Sequence, residues 1–354
     1  MSIETAKKTV DFIFQSPSHW IEIEFQGGEP LINFDVLKFI VKYAREKNMA
    51  AKKELRFSVI TNLQLMDSEK LDFLMDEGIS ICTSLDGPQE VHNKNRIPED
   101  KGFNSHENTI KWIGRIQKRC KEEKKDWSVS AVMTTTRNSL GKAREIVDEY
   151  ANLGLRVIAI RPLNGLGFSR ENLKDIGYSA KEFIEFWKKC MERIIELNKK
   201  GIFLGERMAS VILAKILGTK DPGYLELRSP CGACIGQLAY NYNGDIYSCD
   251  DARTLREDVF RIGTVEQKYA EVLGCGKSCL IISSSILDNA SCNECVWKPY
   301  CGTCPVITFS ETNSLIPVMP QDAGCKIHYA QFEYIFEKIQ DEEFQEIVKK
   351  WLLL

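Results

Sequence analysis

Hydrophobic and polar positions repeat with two different periods along the first 220 residues. Ile21-Glu22-Ile23-Glu24-Phe25 alternates with period two, the mark of a half-buried strand. Residues 3–15 and 34–47 carry apolar positions at helical spacing, with Val36, Leu37, Ile40 and Val41 on one face of the second. Further strands are expected at 57–61, 79–85, 128–135 and 156–161, with helices at 67–77, 106–120 and 140–153 between them. Helices at 179–200 and 205–217 follow. Five strands alternating with helices give the order of a parallel α/β sheet or barrel. After Ser229 the periodicity breaks into short strands and turns, until a helical pattern over 326–351 closes the chain.

At 354 residues the chain exceeds one ordinary core, and the break divides it into residues 1–222 and a smaller unit, 223–354. The net charge of −3 gives no electrostatic reason to expect nucleic acid or a membrane as partner. No apolar run approaches the roughly 18 residues of a membrane span. The first residues form no secretory signal, so a cytoplasmic location is expected.

Cysteine usage changes the picture. There are 13, and ten of them lie between Cys231 and Cys325. Such a number is unusual in a reducing compartment, where structural disulfides are disfavoured. Cys231 and Cys234 precede Tyr240–Tyr247, which reads as a hairpin with an Asn-Gly turn that returns Cys249 towards Cys234. Cys292, Cys295, Cys301, Cys304 and Cys325 complete eight thiolates, enough for two four-cysteine sites. Thiolate chemistry alone serves zinc and iron–sulfur equally. Cys275 and Cys279 lie between the two groups, and their plain reading is spare thiols in a loop.

Several strand ends carry polar groups, where α/β folds bind ligands. Gly27-Gly28-Glu29-Pro30 follows the first strand: the glycines admit a ligand close to the backbone, and the carboxylate suits an ammonium group. Thr61-Asn62 ends the second strand and Ser84-Leu85-Asp86-Gly87-Pro88 the third, where Asp86 suits two ribose hydroxyls. Arg161 ends the fifth and suits a carboxylate.

These strand ends and the cysteine-rich tail together resemble radical S-adenosylmethionine enzymes with a SPASM domain. The tail is similar to that domain's C-x9-G-x4-C, here Cys234, Gly244 and Cys249, followed by C-x2-C-x5-C and later cysteines. The runs Asp11 to Ser18, Thr83 to Pro88 and Tyr240 to Tyr242 resemble the peptide maturases of the His-Xaa-Ser system. The resemblance implies a partial (β/α)6 barrel followed by a small SPASM domain. It implies that Gly27, Gly28, Glu29 and Pro30 hold the methionine end of S-adenosylmethionine, with Asn62, Ser84, Asp86 and Arg161 lining the rest. It decides for iron over zinc, with one auxiliary 4Fe-4S cluster on Cys231, Cys234, Cys249 and Cys304, and a second on Cys292, Cys295, Cys301 and Cys325. Asp250 matches the position of a general base in some relatives. A precursor peptide as substrate and an external electron donor such as flavodoxin or ferredoxin are also implied.

Two departures stand out. Cys301-x2-Cys304 replaces the family's C-x3-C, which threatens the position of Cys304. The C-x3-C-x2-C loop that holds the family's radical-forming cluster is absent, because no cysteine precedes Cys82. Met1 is therefore expected to be an internal methionine of a longer protein, with that loop, a third cluster and a first barrel strand upstream, or else the gene has lost its front end. Two functions follow: an oxidoreductase that modifies a ribosomally made peptide through a 5′-deoxyadenosyl radical, or a non-catalytic iron–sulfur protein for electron transfer or peptide binding.

Overall fold

The computed structural model describes residues 1–98, 102–125, 127–219, 221–288 and 290–352. Six parallel strands run in chain order: β1 (Trp20–Phe25), β2 (Glu54–Thr61), β3 (Ser80–Ser84), β4 (Ser130–Thr134), β5 (Val157–Arg161) and β6 (Gly205–Glu206). The α/β expectation holds. Along β1, Ile21, Ile23 and Phe25 are buried against helices, while Glu22 and Glu24 face the other way. Register carries that second face across the sheet: Glu24 beside Ser58, Ile60 beside Cys82, Thr134 beside Arg161. One face is thus apolar and covered, while the other mixes polar groups with Ile60 and Cys82 and is only partly covered.

Helices Phe34–Ala51, Ser68–Asp76, Ser105–Glu122, Ala143–Asn152 and Ala180–Lys199 lie where the periodicity placed them. The last begins with a reciprocal cap in which Ser179 and Glu182 satisfy each other's backbone N–H groups. Two expectations are corrected. The pattern at 205–217 starts as the short strand β6, and its helix spans only Arg207–Leu217, capped by Glu206. The closing pattern is two helices, Ala323–Lys338 and Glu342–Trp351, divided where Asp341 caps the second. Helices Gln89–Asn95 and Phe168–Ile176 have no counterpart in the sequence reading; the latter buries none of its residues.

The tail contains an antiparallel sheet of β7 (Ala239–Tyr240), β8 (Asp245–Tyr247) and β9 (Arg261–Thr264). Short helices accompany it, where only strands and turns were expected. Packing crosses the division drawn at residue 222. Phe12, from the first helix (Ile3–Ile13), is buried in the tail's apolar cluster. Ile327, Phe332, Phe344 and Trp351, near the end of the chain, belong to the barrel's core.

Glu206 is fully buried at the join of β6 and its helix, accepting from the Ala209 N–H at 2.7 Å. Burial pushes its pKa from 4.5 up to about 7. Between those pH values the folded state keeps a proton that the unfolded chain has released. Stability therefore falls as pH rises through that window, by roughly 3 kcal/mol in total. Glu206→Gln keeps the acceptor oxygen and is expected to flatten this dependence in urea unfolding curves taken at pH 5 and pH 8.

Candidate functional site

The carboxyl ends of β1 and β2 form one built edge. Glu29 caps the short helix Pro30–Asn33 by accepting from the Leu31 N–H at 3.0 Å. The same carboxylate accepts from the Thr61 hydroxyl at 2.7 Å and the Asn62 N–H at 2.9 Å. Glu29 thus locks the two strand ends together and keeps only part of its accepting capacity for a ligand. Gly27 has φ +154°, which side chains disfavour, and neither Gly27 nor Gly28 has an atom within 4 Å of where a Cβ would stand. That open backbone is the kind of cradle a small cofactor needs. Asn62 closes a turn onto the Gln64 N–H, and Ser84 is half-buried at the end of β3 on the partly covered face.

Two expected ligand residues have other tasks. Asp86 is 1% exposed and takes a two-pronged contact from Arg96 at 2.9 and 3.1 Å. It also accepts from the Thr134 N–H and the Asn95 amide. Its acceptor positions are filled, so it braces β3 against β4 instead of meeting a ribose. Arg161 pairs with Glu226 at 2.6 Å, 65 residues away, and that carboxylate raises its pKa. A free partner for a cofactor carboxylate is therefore not what Arg161 offers.

Asp250 stands between this edge and the tail. Its carboxylate accepts from the Gln237 amide at 2.8 Å and, more distantly, from Gln26 at 3.5 Å. Gln26 directly precedes Gly27 and also donates to Glu24. Asp250 senses both Glu24 on β1 and Arg161 on β5. A flat sheet would separate those strands by roughly 19 Å, so the polar face curves around Asp250. Burial, then Asp250 and Glu22, raise the Glu24 pKa. Burial, then Asp250 and Glu226, push Asp251 up to about 7. Gln26, Gln237, Glu24, Glu226 and Asp251 were not singled out from sequence; only Gln26, abutting the glycines, carried a local signal.

The cysteines fall into two neighbourhoods. In the first, the hairpin turns at Gly244 (φ +91°), and the Cys234 N–H donates to the Ser248 carbonyl at 3.0 Å. Cys249 caps the helix Asp250–Leu255. Cys231 affects Cys234, Cys249 and Cys304, and Cys249 affects Cys304, each thiolate raising the pKa of the next. In the second, Cys301 is influenced by Cys325, Cys295 and Cys292. Burial, then these neighbours, push Cys301 up to about 12; burial, then Asp322, then Cys292 and Cys295 push Cys325 up to about 11. Burial, above all, takes Cys234 to about 12. Gly302, between Cys301 and Cys304, packs tightly on the backbone of Glu226 and Arg228.

The donor sets suit clusters. Among the described residues no three His, Cys, Asp or Glu side chains stand close enough to hold one metal ion. Four thiolates serve one zinc ion or, spread over four irons, one four-iron cluster. Buried polar atoms without a protein partner lie near both sets: Ser248 Oγ next to Cys249, Trp297 Nε1 two residues from Cys295, and His328 Nδ1 one turn beyond Cys325. A three-cysteine radical-cluster loop finds no fit, since Cys82 is the only cysteine before Cys120.

A family described as a 4Fe-4S single cluster domain matches residues 2–110. That stretch contains only Cys82, so the match follows the barrel's front strands and not a ligand set. The Cysteine-type anaerobic sulfatase-maturating enzyme of Clostridium novyi is 22% identical over 345 residues, 96% of this chain and 85% of that one. The Serine-type enzyme of Bacteroides thetaiotaomicron is 24% identical over 95% of this chain and 81% of its own. The solved structure of native anSMEcpe with bound AdoMet and Kp18Cys peptide superposes with a TM-score of 0.80 at 20% identity, covering 98% of this chain and 91% of that one. In sequence and in fold the chain is similar to anaerobic sulfatase-maturating enzymes, one of them solved with bound AdoMet and a peptide. By name, these two relatives mature sulfatases. No helix among the described residues is long and apolar enough to cross a membrane.

Proposed function

We propose that these residues form the cofactor- and peptide-binding body of a radical S-adenosylmethionine/SPASM enzyme that modifies a peptide. S-adenosylmethionine lies along Gly27, Gly28 and the Glu29–Asn62 edge, with Ser84 beyond. One auxiliary 4Fe-4S cluster is held by Cys231, Cys234, Cys249 and Cys304, the other by Cys292, Cys295, Cys301 and Cys325. The observation that carries the reading is the position of Asp250. Gln26, next to the glycine edge, and Gln237, in the cysteine-rich unit, both donate to its carboxylate, which ties the two regions together. There it can accept a proton from a bound peptide side chain, with two amides fixing its orientation. In this family the cofactor supplies hydrogen abstraction, and auxiliary clusters take up the electron left behind. A flavodoxin- or ferredoxin-like carrier exchanges electrons with them. Binding in the curve of the polar face keeps water from the reacting atoms.

The second reading, a non-catalytic iron–sulfur protein, is favoured by one observation: no C-x3-C-x2-C occurs among the 354 residues. The two separate cleanly. The protein encoded by the whole reading frame, with any segment upstream of Met1, is loaded anaerobically with iron and sulfide, then given S-adenosylmethionine, a reductant and peptide. Release of 5′-deoxyadenosine supports the enzyme. Cofactor and iron binding without that release supports the second reading, and a chain that binds neither sinks both.

Gly28→Val tests the cofactor edge. Space for the new side chain is open and Gly28 needs no positive φ. The melting temperature is expected to hold while S-adenosylmethionine affinity, measured by equilibrium dialysis, falls at least about tenfold, or ~1.4 kcal/mol. Unchanged affinity would place the cofactor elsewhere.

A further inference from the structure

Cys275 and Cys279 are not spare loop thiols. They lie at the start of a helix, Gly276–Ser284, with Cys275 as its cap and Cys279 one turn on. That helix lies along the first thiol set: Ser285, at its end, accepts from the Cys231 N–H at 3.0 Å. Cys275 packs into the same apolar cluster as Cys231, Cys234, Cys249 and Cys304, making a fifth thiol in that nest. The fully buried Ser278 hydroxyl is 3.4 Å from the Cys275 sulfur and also acts on the Cys234 thiol. Cys234 senses both Cys275 and Cys279. Exposure is graded along this row: Cys279 is exposed, Cys275 half-buried and Cys234 buried.

We propose that Cys279 and Cys275 are the loading port of the first cluster site, resting on the reading of Cys231, Cys234, Cys249 and Cys304 as its ligands. An iron–sulfide unit is first held at the surface by the two port thiolates. The Cys234 sulfur then takes the iron from Cys275. A second thiol of the set displaces Cys279 in the same way, so two iron–sulfur bonds form and two break, each site thiol's proton passes to the port thiolate it displaces, and no electron moves. Cys234 and Cys249 are buried, so an iron carrying its water reaches them by way of the more exposed thiols beside them. Ser278 stands between the sulfurs that exchange the iron. With four permanent ligands already present, the port thiols are free once the site is filled.

Anaerobic loading of the full chain with ferrous iron and sulfide, followed by visible absorbance and iron analysis, tests this. The wild-type chain is expected to reach about eight irons. The Cys275→Ser/Cys279→Ser variant is expected to reach the same final iron, with one loading phase slowed at least about fivefold, because the thiolate and not the hydroxyl binds iron. The slowed phase is expected to be the one that Cys249→Ser abolishes. Loading at the wild-type rate would overturn the proposal. So would a final content lower by about four irons, which would make the pair permanent ligands. A wild-type chain that takes up no iron would instead bring down the cluster reading itself, and the port with it.

Discussion

Replacing Gly302 by alanine is expected to empty both iron–sulfur sites. A Cβ at this position would stand 2.5 Å from the Arg228 backbone nitrogen and 2.6 Å from its carbonyl oxygen. Those atoms are main chain and have no rotamer by which to withdraw. The residue lies in the two-residue bridge between Cys301, of the second set, and Cys304, of the first. Relieving the clash must move the bridge, and with it one ligand of each cluster. Overpacking of this kind costs about 1–3 kcal/mol by itself. The displaced thiolates add the binding energy of two sites to that loss. After anaerobic loading, iron content is expected to fall far below the parent's, with a lower midpoint in urea. Gly114→Ala is the control: it lies in the helix Ser105–Glu122 with nothing within 4 Å of its Cβ position. There alanine is expected to be neutral or to stabilise by up to ~1 kcal/mol. Full iron in Gly302→Ala would mean that the bridge is not shared.

Arg96→Ala is expected to be the most damaging change within the barrel. Arg96 is the only charged partner of the buried Asp86 among the described residues. Removing one member of such a pair leaves an uncompensated charge, at a cost of about 3–5 kcal/mol. Asp86 also holds the Thr134 N–H at 3.0 Å, so the loss reaches the β3–β4 seam. The next residue, Gly87, cannot yield, because a Cβ there would meet Ile146 at 2.5 Å. Chemical denaturation is the measurement. The double change Arg96→Met/Asp86→Leu, which removes both charges, is expected to recover part of the loss. Equal stability of Arg96→Ala and the parent would return Asp86 to the ligand edge.

Strand-and-helix alternation was readable because β1 to β5 bury one face each, so Ile21, Ile23 and Phe25 print their period directly. β6 was not readable: two residues carry no period. The break at Asp341 had a legible signal, an acidic cap before Glu342 and Glu343, lost inside an otherwise continuous helical pattern. The glycine edge and the two cysteine groups were expected from spacing and resemblance, and the fold places the members of each group near one another. Asp86 and Arg161 were misjudged for one reason. Both looked like open polar ends of strands, and their partners, Arg96 and Glu226, become neighbours only through the fold. Asp86 shows that a carboxylate at a ligand-binding edge still has to be checked for a local cation.

Phe12 and the closing helices have a consequence for how such proteins are assembled from parts. An amino-terminal phenylalanine completes the core of the cysteine-rich unit, and carboxyl-terminal Phe332, Phe344 and Trp351 complete that of the barrel. The two halves are laced through each other at both ends. A graft that exchanges the cysteine-rich segment between relatives at the visible seam would strip each core of aromatic side chains. Recombination that respects the lacing must carry the first helix and the last two along with the pieces they complete.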